Sequence, residues 1–293
     1  MLLKLIDNNS PVSFFINLFV LAVMSVVFVF TTMIPFNNFF VLNVLSIAAS
    51  VFLLNVMSDK FHLFKELTYL SSFIFLLFTT NVFPYFSTTL IGVFLLLFIS
   101  YIYLVLSIYN QSDVKNLTFN AGFILGLLYT ADKYILLFGA ALFLMLMLSR
   151  SFYWREWLLA GTGIALPVFY IQLFGYLKIP IPLLREIALP DTFSFTEATL
   201  FIIISAIILF ILTLFYTGRK TVRKRNIYTT LLALVVIGVL AFFVFDKIWA
   251  AYFLLPVIAI LATHLYHQLK RPVFRWLVLL FCLGISVINF FVR

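Results

Sequence analysis

Groups that ligate metals or relay protons are scarce in this chain: one cysteine, three histidines and ten carboxylates among 293 residues. The lone Cys282, set in the apolar run LVLLFCLGISVINFF, excludes an intrachain disulfide and any paired-cysteine metal site. His264 and His267 are spaced to share a helix face. No Asp, Glu or Cys stands near them to complete a ligand set, so packing at the membrane interface is their expected role. No Gly-rich phosphate loop, HExxH pair or nucleophile elbow occurs, and neither metal nor cofactor is expected. Charge is scarce too, at 10% of residues against 65% hydrophobic. A soluble domain cannot hide that much apolar surface. The chain reads as an integral membrane protein with room for roughly ten crossings of about 20 residues each.

Apolar runs fall at about 12–33, 38–57, 68–85, 88–108, 119–131, 134–149, 157–176, 197–217, 227–245, 248–268 and 276–292. They predict an all-α, polytopic transmembrane bundle of about eleven helices, with nine to twelve as the range, forming one domain over residues 1–293. The first run exceeds a signal-peptide core and lacks a small-x-small cleavage site, so it is expected to stay as a helix. Asp7-Asn8-Asn9-Ser10-Pro11 before it supplies cap residues and a proline suited to the first helical position. Residues 1–10 then form a short interfacial lead-in. Runs 119–131 and 134–149 fall short of a straight crossing, which leaves a tilted hairpin or one broken helix.

The Lys and Arg distribution orients the chain, because cytoplasmic loops carry the basic excess. With eleven crossings and a cytoplasmic N-terminus, the inner segments hold Lys4, Lys60, Lys65, Lys115, Arg150, Arg155, Arg219, Lys220, Arg223, Lys224, Arg225, Lys270, Arg271 and Arg275. The outer segments hold just Lys133, Lys178, Arg185, Lys247 and Arg293. Merging 119–149 into one crossing would put GRKTVRKR outside, so the bias favours two crossings there. Asp132-Lys133 then marks an outer turn, and FDKIWA, with Asp246 and Lys247, repeats the pattern of ADKYIL. Acid and base at hairpin tips, with an aromatic behind, are also what sets helix depth in a bilayer. The basic loop 218–226 is expected to meet anionic lipid headgroups, and no nucleic-acid role is expected.

Two surfaces stand out. The outer connection 177–196 is punctuated by Pro180, Pro182 and Pro190 and carries Lys178, Arg185 and Asp191. On the inner face, RSFYWREW gathers Arg150, Trp154, Arg155, Glu156 and Trp157. With Arg219, Lys220, Arg223, Lys224 and Arg225, these are the expected contacts for a partner or for lipid headgroups.

The stretch from Phe119 to Tyr170 resembles the membrane core of a family of unknown function from Bacteroidota-type bacteria. Its members share an NNSP-like opening and an RxFxWREW-like segment, here Asn8–Pro11 and Arg150–Trp157. The glycine-spaced short helix, its short partner and the basic turn also look like the C-type fold of polytopic, polyprenyl-phosphate-dependent glycosyltransferases. That resemblance implies a catalytic acid in a long first outer loop, yet the corresponding MIPFNNF is short and has no carboxylate. A transferase would have to draw its base from Asp132, Asp191 or Asp246 and its leaving-phosphate contacts from Lys178 and Arg185. No ionisable residue stands in the middle of any run, which argues against an ion-coupled transporter. The favoured expectation is a non-catalytic subunit or scaffold of the bacterial inner membrane that binds another membrane protein or lipid. The alternative is a glycosyltransferase with a polyprenyl-phosphate sugar donor.

Overall fold

The computed structural model describes residues 11–32, 37–64, 68–110, 114–149, 153–176, 197–217, 221–245, 247–269 and Gly284. Among them the chain is all-α, with eleven α-helices and no strand. These are α1 Pro11–Thr32, α2 Asn38–Lys60, α3 Leu70–Thr79, α4 Ile91–Ser107, α5 Lys115–Leu128, α6 Gly139–Ser149, α7 Trp154–Tyr176, α8 Glu197–Thr217, α9 Val222–Phe245, α10 Trp249–Phe253 and α11 Leu255–Gln268. The expected lead-in 1–10, outer connection 177–196 and, apart from Gly284, crossing 276–292 lie outside the described residues.

Four helices are long and apolar enough to cross a membrane: Asn38–Lys60, Trp154–Phe174, Thr199–Tyr216 and Lys224–Phe245. The protein is thus a helical membrane protein. Proline placement follows sequence chemistry at the start, since Pro11 opens α1 where its missing N–H leaves no intrahelical bond unmade.

Two runs that read as single crossings are not single helices. The run 68–85 yields α3 of ten residues, about 15 Å long. The side chains of Thr79, Thr80 and Asn81 donate to the carbonyls of Leu76, Leu77 and Phe78 and end the helix. The run 248–268 divides into α10 and α11 at Leu254, because Pro256 enters the first turn of α11 with no N–H to give and a ring that crowds the preceding turn. The basic stretch 218–226 is also partly helical, since α9 begins at Val222; Lys and Arg are good helix formers and no Gly or Pro falls between Arg219 and Asn226.

The stretch 119–149 is a hairpin. Its turn residue Asp132 pairs with Lys247, beyond the C-terminal end of α9, whereas the carbonyl of Leu148 accepts from Asn226 near that helix's start. The two ends of the hairpin therefore sit at opposite ends of α9, which at 24 residues is about 36 Å long. The same division orders the rest. Tyr85 meets Tyr252 at the Asp132 end. At the other, basic end the Tyr228 hydroxyl donates to Leu63 and the Phe64 ring meets His267.

The core is built around α11, which is buried from Leu255 through Tyr266 and packs against α3, α8, α9 and α10. An aromatic knot ties α4 to its neighbours: Phe98 stands 4.9 Å from Phe138 and 5.1 Å from Phe253, ring centre to ring centre. Tyr101 beside it donates to the Phe138 carbonyl at 2.6 Å. On the flank, α5 and α7 pack backbone to backbone. A Cβ on Gly122 would lie 2.4 Å from the Ala160 carbonyl oxygen, and one on Gly163 would lie 2.4 Å from that of Phe119. Small residues permit such approach where lipid supplies no hydrophobic drive between helices. Pro167 continues α7 with its ring against Gly126.

Candidate functional site

At the Asp132 end the two Asp-Lys turns dock on each other. Asp132 adopts an extended backbone before the 3-10 segment Lys133–Phe138, and its Oδ1 accepts from the Tyr134 N–H at 2.8 Å. Oδ2 accepts from the Trp249 indole at 3.0 Å and lies 3.2 Å from the Lys247 ammonium. Lys247 and Lys133 each stand 5.1 Å from the centre of the Tyr134 ring, and that ring packs on Phe245 at 4.9 Å. Both carboxylate oxygens are thus committed to a cap, an indole and an ammonium, which locks the α5–α6 turn to the α9–α10 turn. The repeated pattern is visible in sequence; that its two copies touch is not. Asp191, Asp246, Lys178 and Arg185 lie outside the described residues.

At the basic end the expected docking residues separate by exposure. Trp154 is 58% exposed and its neighbour Tyr153 56%, while the Arg155 guanidinium lies 5.6 Å from the Trp154 ring centre, also at the surface. Glu156 is buried, and Trp157 turns inward onto Phe143 at 5.2 Å. Helical geometry explains the split, because consecutive residues diverge by about 100° around the axis. On α9, Lys224 is half-buried and Arg225 exposed; Arg223 lies on the same first turn. Arg150, Arg219 and Lys220 lie outside the described residues.

Other polar groups at this end are structural. Lys60 donates to the Tyr103 hydroxyl at 2.7 Å and stands 4.4 Å from that ring's centre. His62, with φ of 47°, turns the chain after α2 through a bond from its N–H to the Asp59 carbonyl. Burial, and after it the Asp59 carboxylate, push the Tyr69 phenol above its ordinary range. The His264 ring packs tilted against Tyr228, 4.1 Å between ring centres. Among the described residues no group of three His, Cys, Asp or Glu is placed to hold a metal ion.

Sequence reasoning named no cavity, but the structure has an apolar cleft of about 430 Å³ between α1 and α2. Ala22, Val26 and Val29 face Phe40, Val44 and Leu45 across it. Ser25 in its wall turns its hydroxyl back to the Leu21 carbonyl, so the lining suits a hydrocarbon chain. No known family, curated protein or solved structure matches this chain.

Proposed function

We propose that this protein is a non-catalytic subunit of the bacterial inner membrane that docks another membrane protein through the basic end of α7. The observation that carries the reading is the exposed Trp154–Arg155 platform on a helix that is otherwise a flank. Only 17% of the apolar stretch of α7 is buried, and its outward residues include Leu158, Leu166, Phe169 and Tyr170. Trp, Tyr and Arg are the residue types that dominate binding energy at protein interfaces. The glycine contacts with α5 hold the helix rigid, so a docked partner meets a fixed surface. Lipid headgroups complete the basic end around Lys224 and Arg225, and the cleft between α1 and α2 takes an acyl chain.

The transferase reading places a base at Asp132, Asp191 or Asp246. Asp132 makes three structural contacts instead, and this favours the subunit. A photo-crosslinking amino acid at Trp154 distinguishes the two readings in living cells. A single discrete protein adduct at position 154, absent when the residue is placed at Phe169, supports the docking surface; adducts to lipid alone at both positions contradict it.

A further inference from the structure

Two buried asparagines near the basic end of α1 and α2 leave amide atoms without partners. Asn55 is 6% exposed, and neither its Oδ1 nor its Nδ2 has a hydrogen-bond partner among the described residues. Asn17 is fully buried; its Nδ2 donates to the Ser72 hydroxyl at 2.8 Å, while its Oδ1 accepts nothing among the described residues. Around α2, Asn55 lies midway between Phe52 and Ser58, about 60° from each at 100° per residue. Phe52 touches Phe14 of α1, and Ser58 touches Ser71 of α3. Asn55 therefore faces the junction of the three helices, which pack on one another pairwise. Asn17, three residues after Phe14, reaches α3 through the neighbouring Ser72 and so enters the same junction.

Leaving polar groups unpaired in hydrocarbon is costly, and this fold does satisfy a buried asparagine elsewhere. On the same helix, Asn43 donates twice through Nδ2 and accepts once at Oδ1, so both amide atoms are bonded. The unfilled set at the junction is two acceptor oxygens and one donor nitrogen, so an occupant must donate and accept at once. We propose that the α1–α2–α3 junction is a binding site for a neutral hydroxyl group, bridging Asn17 and Asn55 and supplied by water or by a lipid alcohol. At the start of α3 the Tyr69 carbonyl stands 3.4 Å from the Asn17 Nδ2 and adds a polar group to the junction.

The test places single cysteines in a Cys282→Ser background, where no other thiol exists. Membranes carrying Asn55→Cys, Val51→Cys or Lys115→Cys are treated with 2-aminoethyl methanethiosulfonate, whose sulfur the cysteine thiolate attacks to form a mixed disulfide with loss of methanesulfinate, so that the rate reads contact with water. If water fills the site, Asn55→Cys reacts within about tenfold of the exposed Lys115→Cys, and the buried, apolar Val51→Cys at least about a hundredfold more slowly. If a lipid alcohol fills it, Asn55→Cys is protected until lipid is stripped, and the purified protein carries a hydroxyl-bearing lipid that Asn55→Leu loses. The proposal is overturned if Asn55→Cys stays as slow as Val51→Cys before and after lipid removal and Asn55→Leu leaves the bound lipids unchanged. Should Asn55→Cys fail to accumulate, Ser58→Cys, which also faces the junction, carries the same comparison.

Discussion

Two asparagines on α2, Asn43 and Asn55, are both buried and live in opposite circumstances. Asn43 donates to the carbonyls of Phe86 at 2.9 Å and Thr89 at 2.6 Å, and its Oδ1 accepts from the Gly92 N–H at 2.8 Å. It closes the loop before α4 and satisfies an N–H in that helix's first turn, which has no intrahelical partner. Nearby, Asn37 caps α2 and donates to the Ser87 carbonyl of the same loop. Asn55 bonds nothing among the described residues. One end of the helix is latched by its polar groups, and the other holds polar groups in reserve. The bundle as a whole repeats that contrast. Its Asp132 end is locked by polar bonds between turns, and its basic end exposes Trp154 and Arg155.

The sharpest way to break the comparison is to replace both asparagines with leucine. Asn43→Leu strands two carbonyls and one N–H and is expected to lower stability by at least about 3 kcal/mol. Asn55→Leu strands no protein group and is expected to change it by less than about 1 kcal/mol. Thermal melts in mild detergent check both, and equal losses would remove the distinction. Next in size is the glycine seam. Gly163→Ala forces a Cβ against the Phe119 carbonyl and is expected to cost about 2–3 kcal/mol. Gly161→Ala meets nothing within 4 Å and is expected to be neutral or to gain up to about 1 kcal/mol from helix propensity.

At the locked end, Asp132→Asn keeps one acceptor oxygen, enough for the Tyr134 N–H, but sets an amide NH2 against the Trp249 indole N–H and loses the charge facing Lys247. A loss of roughly 1 kcal/mol in the same melts, with partner binding intact, is the expected outcome. Loss of function at normal abundance would point to chemistry at Asp132 instead. The smallest effect on stability belongs to the pair Trp154→Ala and Arg155→Ala, expected within about 0.5 kcal/mol of wild type because both side chains are exposed. Their effect falls on docking.

Composition and the apolar runs made the helical class legible, and the Asp132-Lys133 pair marked a true turn. What sequence hid depends on contacts across the chain. Trp249 and Asp132 are 117 residues apart, so a repeated Asp-Lys motif gives no sign that its two copies pair. Thr79, Thr80 and Asn81 end α3 through side-chain bonds to its own carbonyls, and an apolar count over 68–85 passes over them. Pro256 stands at the α10–α11 break, and the apolar count over 248–268 passes over it in the same way. Asn43 and Asn55 are indistinguishable as letters in apolar runs, since what separates them is whether a loop and a glycine on α4 stand within reach.

The most direct test of the docking account is purification of the tagged protein from its own membranes in gentle detergent, beside Trp154→Ala/Arg155→Ala, with co-purifying proteins quantified by mass spectrometry. The account predicts a membrane protein in stoichiometric amount with the wild type and its loss, by about tenfold or more, with the double variant. A wild-type protein that purifies with lipid alone, or a partner retained undiminished by the double variant, would contradict it.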